Sequence, residues 1–340
     1  MKSEKIKVGI VGAGLVVENY HLPVLDEIGI IEIKWICDTN INKAKKLANI
    51  YNISNFNTDV TKLEYADVVL LAIPVGSRSF YLDYFSNRQI NLFIEKPLCE
   101  SVYEYKSILN LAEKNNTHIG IGLMRRSYHS TLQTSSLFNS MIFGPVKKIT
   151  ASEGGNLRGL NIDKSFYQND RELSGGGALI ETGSHLIDQI FTIFKVNNFE
   201  IIDAKTTSNA GLDIDTKIST KVISDVQQDE IELDFRISKI RDVPNKIQVE
   251  FYSGNKIAIS LTPNSQINIL NKNYNKIAEL KMENNDHGAK EIYQAFYLEW
   301  QDFLQQVKKN QIGIYCSTLN SSYLTVKFIE KTYKRLQNER

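Results

Sequence analysis

An α/β half built on a parallel sheet, followed by an α+β half built on a largely antiparallel one, is the fold class this sequence predicts. Three observations predict it. The first third alternates short apolar runs with helical stretches, as strands joined by crossover helices do. Gly12 and Gly14 stand where the first apolar run gives way to the first helical stretch. From residue 231 the pattern becomes strict period-two alternation over consecutive segments, the mark of strands with one covered and one polar face.

The elements follow in order. A strand over 6–11 ends at glycine, and residues 15–28 read as a helix. A second strand, 32–37, closes on Asp38. Residues 42–51 are helical, with Lys43, Lys45 and Lys46 on the solvated face. The unbroken apolar run 68–72 predicts a strand buried on both faces. A strand at 91–94, a helix at 102–113 and a strand at 118–122 complete the alternation. Beyond Gly122, Ile231, Leu233, Phe235 and Ile237 alternate with Glu232, Asp234 and Arg236, and 247–251, 257–261 and 267–269 repeat the pattern. Ser253-Gly254-Asn255 and Pro263-Asn264-Ser265 read as hairpin turns. Helices over 291–308 and 319–336 close the chain. Two domains result, one over 1–122 and one over 123–340.

Bulk properties narrow the function classes. The chain has 340 residues, 42% hydrophobic and 23% charged, enough to bury a sizeable core without staples. A net charge of +1 gives no electrostatic footprint for nucleic acid or an anionic membrane. Cys37, Cys99 and Cys316 are far apart and form no CxxC pair, which argues for a reducing compartment and against a zinc site; no metal is expected. With no long apolar run and no signal-peptide pattern, the cytoplasm is the expected location.

Candidate chemistry lies in three places. Glycine at 12 and 14 permits a tight turn and close approach of backbone N–H groups to a pyrophosphate at a helix N-terminus, although Val17 replaces the usual third glycine. Asp38 stands where a carboxylate takes the adenosine ribose hydroxyls and repels a 2′-phosphate, favouring NAD over NADP; a helix cap or turn is its other reading, and Lys43 nearby offsets the repulsion. Lys96 follows the 91–94 strand, on the sheet edge where ligands bind, and can donate to a substrate oxygen; Glu95 then contacts the nicotinamide ribose. The plain alternative is a surface lysine paired to Glu95. Third, Gly175-Gly176-Gly177 precedes a helix over 178–194 on which Glu181, His185 and Asp188 share a face, and the histidine suits acid–base work unless it is an ordinary helix-surface residue. Arg125 and Arg126 either orient a hydroxylated or anionic substrate or are solvated linker residues.

The ordered set resembles the glucose-fructose oxidoreductase / inositol dehydrogenase / MocA (Gfo/Idh/MocA) family. It comprises Gly9-Ile10-Val11-Gly12-Ala13-Gly14, His21-Leu22-Pro23, Ala72-Ile73-Pro74, Glu95-Lys96-Pro97, Gly122-Leu123-Met124-Arg125-Arg126 and the segment from Gly175 to Asp188. The resemblance implies a Rossmann domain and an open-faced mixed sheet, and redox chemistry on a sugar, cyclitol or sugar nucleotide. By the same resemblance, Gly12, Gly14, Leu15, Asp38, Ile73, Pro74, Glu95 and Lys96 bind NAD or NADP. Lys96, Arg126, Glu181 and His185 bind substrate; Lys96, His185 and Glu181 are catalytic, and the Lys96-Pro97 peptide is cis. Partners are a small sugar-type molecule and further copies of the chain, as a homodimer or homotetramer. Glu181 departs from the aspartate of inositol-dehydrogenase-like members, and Arg78 from the histidine of many members. Two rival functions share the fold: a non-catalytic cofactor- or sugar-sensing regulator, and an enzyme that uses NAD transiently through a keto-sugar.

Overall fold

The computed structural model describes residues 5–155, 167–261, 266–281, 289–311 and 313–338. The chain divides into two compact units. The first holds Met1–Cys99, Tyr103–Met124 and Tyr293–Ser321; the second holds Glu100–Val102, Arg125–Ile292 and Ser322–Arg340.

The first unit carries six parallel strands: β1 (Ile6–Val11), β2 (Ile31–Cys37), β3 (Asn55–Asn57), β4 (Val68–Leu71), β5 (Asn91–Glu95) and β6 (Ile119–Gly122). Their spatial order is β6-β5-β4-β1-β2-β3, so the chain leaves β1 in one direction and returns to its other side at β4. That reversal opens a crevice at the carboxyl ends of β1 and β4. Every residue of β4 and β6 is buried, as the apolar run at 68–72 predicts. Close packing sets some glycines: a Cβ at Gly9 would stand 2.1 Å from Trp35 Cζ2. The short β3 and the helix Ser79–Ser86 carry no strong period and went unpredicted.

The helix expected over 15–28 is wound differently. A π-helical turn, Val17–His21, precedes the α-helix Leu22–Glu27. Pro23 has no N–H to donate to the carbonyl four residues back, so the regular ladder is interrupted there.

The second unit carries an eight-stranded sheet: β7 (Val146–Gly154), β8 (Val196–Asn209), β9 (Leu212–Ser224), β10 (Ile231–Ser238), β11 (Lys246–Phe251), β12 (Lys256–Ser260), β13 (Ile267–Leu270) and β14 (Lys276–Leu280). Its order is β14-β13-β12-β11-β7-β10-β9-β8, antiparallel throughout except for the parallel pair β7 and β10. The alternating segments from 231 are β10 to β13. The Ser253-Gly254-Asn255 turn joins β11 to β12, with Gly254 at φ +85°. The other expected turn, at 263–265, lies outside the described residues. Leu186, Ile190, Phe191 and Phe328 of the helices Ser184–Ile193 and Leu319–Asn338 cover one face, packing with Ile149, Leu233, Phe235 and Val249.

The first unit also takes back a late part of the chain, which the expected boundary at 122/123 puts in the second domain. Trp300 and Phe303 of the helix Ala289–Lys309 pack on Phe93, the Trp300 ring stacked at 4.3 Å. Such a pair contributes about 0.5–1.5 kcal/mol beyond its buried area. Then β15 (Ser317–Thr318) adds antiparallel to β6. No described helix is long and apolar enough to cross a membrane.

Candidate functional site

In the first unit the structure brings the expected cofactor residues to the carboxyl ends of four neighbouring strands, β2, β1, β4 and β5. Gly12, just past β1, sits at φ +101°, and a Cβ there would lie 2.3 Å from the Ala72 carbonyl oxygen. Only glycine fits. Around Gly14 no protein atom lies within 4 Å of a Cβ position, and its carbonyl receives the first helical N–H groups from Val17 and Glu18, each at 3.0 Å. Leu15 beside it is 73% exposed. An open glycine at a helix start fits a pyrophosphate.

Asp38 ties the end of β2 to that turn. Its Oδ2 accepts from Ala13 N at 2.7 Å and its Oδ1 from Asn40 N at 2.8 Å. The cap of the helix Ile41–Ile50 is Asn40, which accepts from Asn42 N and Lys43 N, so Asp38 is not the cap; the turn alternative does hold, since Asp38 takes the N–H two residues on. Each carboxylate oxygen keeps a lone pair for a ribose hydroxyl. Lys43 is exposed and Lys46 pairs with Glu18 at 2.5 Å.

Glu95 is buried; Oε1 lies 2.8 Å from His21 Nε2, and Oε2 accepts from Lys96 N at 3.1 Å. His21 is fully buried, and its Nδ1 accepts the Trp300 indole N–H at 2.9 Å. An indole only donates, so the imidazole proton lies on Nε2, facing the carboxylate. Glu95 thus holds the backbone beneath Lys96. Lys96 itself is half-buried, not a surface lysine, and its peptide with Pro97 is cis. Ile73 and Pro74 form the turn after β4, and the Ile73 carbonyl accepts from Arg78 Nε at 3.0 Å and Nη2 at 2.8 Å.

In the second unit the glycine triplet serves packing. A Cβ at Gly177 would stand 1.9 Å from the Asp213 carbonyl oxygen, and one at Gly176 2.4 Å from the Tyr333 hydroxyl. Asp213, on β9, accepts from Gly177 N at 2.9 Å, Leu179 N at 2.8 Å and Tyr333 Oη at 2.7 Å, capping the helix start from a neighbouring strand. Burial, then the Asp213 charge, pushes the Tyr333 phenol well above its ordinary range.

Of the three residues expected to share a face, Glu181 lies in a π-helical turn, Leu179–Gly183, and His185 and Asp188 lie three apart in the α-helix that follows, Ser184–Ile193. The wider winding of the turn breaks the 3.6-residue register. Asp188 binds Arg126 at 2.6 and 2.8 Å and Thr325 at 3.3 Å. Arg126 is therefore buried and ion-paired, not a solvated linker residue. Arg125 is likewise clamped, to both Glu153 oxygens at 2.7 Å. His185 is 9% exposed, so it is no helix-surface histidine.

Glu181 lines a cavity of about 410 Å³ within this unit, together with Glu153, Gln168, Thr182, Lys239 and Asn245. Its carboxylate receives Gln168 Nε2 at 2.5 Å and pairs with the Lys239 ammonium. Carboxylates, amides and a hydroxyl around an open cleft suit a polyhydroxylated molecule. Lys239 and Asn245 escaped the sequence reading. Lys239 does stand just past the predicted strand end at Ile237, the one signal that could have found it.

Residues 6–133 match an oxidoreductase family with an NAD-binding Rossmann fold. The rhizopine catabolism protein MocA of Rhizobium meliloti is 25% identical over 207 residues, 60% of this chain and 62% of that protein. The D-glucoside 3-dehydrogenase of Escherichia coli strain K12 is 23% identical over 214 residues, 62% of this chain and 60% of that one. The chain thus spans about three fifths of the length of these curated relatives. Among solved structures, a 3-ketoreductase from Actinomadura kijaniata in complex with TDP-benzene and NADP superposes with a TM-score of 0.81 at 14% identity, over 97% of this chain and 98% of that one. The aldose-aldose oxidoreductase from Caulobacter crescentus complexed with glycerol gives 0.80 at 13%, over 99% of each. At these identities the likeness is one of fold.

Proposed function

We propose, for a chain whose residues 6–133 belong to the Gfo/Idh/MocA oxidoreductase family, the reversible NAD-dependent oxidation of a hydroxyl-bearing carbon in a sugar, cyclitol or sugar nucleotide. The observation that carries this is the gathering of the Gly12 turn, Asp38, the Ile73-Pro74 turn and Lys96 at adjacent strand ends of one parallel sheet. The nicotinamide supplies a hydride acceptor and, in reverse, a donor. His185 takes the proton of the reacting hydroxyl. Lys96 donates to that oxygen and offsets its developing negative charge. Glu181, held by Gln168 and Lys239, receives a neighbouring hydroxyl. The carboxylate of Asp38 favours NAD over NADP by repelling a 2′-phosphate. In the described cavity wall Lys239 is ion-paired to Glu181, which supports an uncharged polyol over an anionic sugar. As part of this proposal the chain works in the cytoplasm as a homodimer or homotetramer.

The test is a fluorescence titration with NADH and NADPH, followed by a screen of sugars and cyclitols. NADH binding at least tenfold tighter than NADPH is expected; no binding of either overturns the reading. With a substrate found, Lys96→Ala and His185→Ala each lose roughly 10²–10⁴ in kcat. A variant with near-full turnover removes that residue from the mechanism.

A further inference from the structure

We propose that Arg78 is a positioning residue that sets the nicotinamide half of the cofactor site by bridging the Ile73 turn to the Lys96-Pro97 turn; this rests on the dinucleotide reading above. Arg78 is 2% exposed, among the largest fully buried side chains. Burying a guanidinium is costly unless its donors are met. Here Nε and Nη2 both donate to the Ile73 carbonyl, at 3.0 and 2.8 Å. From the other side of the fork, Nη1 donates to the Pro97 carbonyl, with the Leu98 carbonyl farther off at 3.4 Å. Two turns, one after β4 and one after β5, are thus tied through one rigid plane.

The sheet order says which half of the cofactor this affects. With the pyrophosphate at the Gly12 turn of β1 and the adenosine ribose at Asp38 of β2, the adenine half lies on the β2 side. The strand ends on the opposite side of β1 are those of β4 and β5, which Arg78 joins. A planar fork with five N–H donors spans two carbonyls in fixed geometry, and an ammonium on a flexible stem does not. Without the fork, the separation of Ile73 from Lys96 is no longer held. Asp38 at the end of β2 is held by its own hydrogen bonds from Ala13 N and Asn40 N, so the adenosine end of the site keeps its hold when the bridge is loosened.

The experiment compares wild type with Arg78→Lys, measuring affinity for NADH and for ADP-ribose, which lacks the nicotinamide. The expected result is NADH binding weakened by about tenfold or more, with ADP-ribose within about twofold. Equal weakening of both overturns the proposal, since a general loss of structure does that; so does no change in either. Should Arg78→Lys fail to fold, amide exchange on the wild type decides. Protection at 73–79 and 95–100 that rises with NADH but not with ADP-ribose supports the assignment, and identical protection overturns it. A wild type that binds ADP-ribose but not NADH sinks the oxidoreductase reading and this proposal together. Normal NADH binding in both proteins sinks only the role of Arg78.

Discussion

A buried carboxylate needs hydrogen-bond donors, and Glu95 finds them 74 residues upstream in His21 and in its own neighbour's N–H. His21 in turn is held by Trp300, 279 residues further on. Replacing His21 by Leu leaves the indole N–H and a carboxylate oxygen buried without that partner. The expected loss of stability is roughly 2–5 kcal/mol, read by urea unfolding. A variant as stable as the wild type removes the chain Trp300–His21–Glu95 from the account of how Lys96 is held. At this scale the candidate residue types were legible: Gly12, Asp38, Lys96 and His185 could be named from motif and spacing. The contacts around them were not, because Trp300 reaches His21, Arg78 the Ile73 and Pro97 carbonyls, and Lys239 the Glu181 carboxylate only through folding, with no local pattern to announce it.

Among the elements, the two π-helical turns, Val17–His21 and Leu179–Gly183, each fall where a plain α-helix was expected. The second holds Glu181, which lines the cavity, while Asp188 on the α-helix beyond it pairs with Arg126, and heptad counting shows neither the change of winding nor the pairing. The glycines at the two helix starts also differ in kind. Gly177→Ala drives a Cβ against the Asp213 backbone, and about 1–3 kcal/mol of stability should be lost. Gly14→Ala meets no protein atom; stability should hold within about 0.5 kcal/mol while NADH binding weakens. Thermal and fluorescence titrations of the pair check this. Equal destabilisation of both would remove the distinction between a packing glycine and a ligand-facing one. Strands β10 to β13 were legible because their covered positions are Ile, Val, Leu and Phe. β9 was not, because Thr216 and Thr220 fill covered positions and hide the alternation behind polar side chains.

For the whole molecule the charges nearly cancel, so pH sensitivity comes from particular pairs. Asp215 in the second unit is the clearest. Burial alone would raise its carboxyl, but the hydrogen bond and charge of Arg236, with Arg241 beside it, hold it below the usual range. A carboxyl lowered on folding contributes stability that is present above the unfolded value, near 4, and lost as pH falls through the native one. Acid unfolding should therefore steepen below about pH 4, and Asp215→Asn should flatten that limb while costing stability at neutral pH. An unchanged acid limb in the variant would assign the sensitivity elsewhere. The sequence by itself determined the two kinds of sheet, the dinucleotide turn and the acid–base candidates, since periodicity, glycine and short motifs act over a few neighbouring residues. Only the tertiary structure decided that residues 293–321 return to the first unit, that Arg126 pairs with Asp188 and Glu95 with His21, and that Arg78 joins two turns. A buried charge takes whichever donor or acceptor the packed fold brings within about 3 Å, and that pairing is made across the fold rather than along the chain.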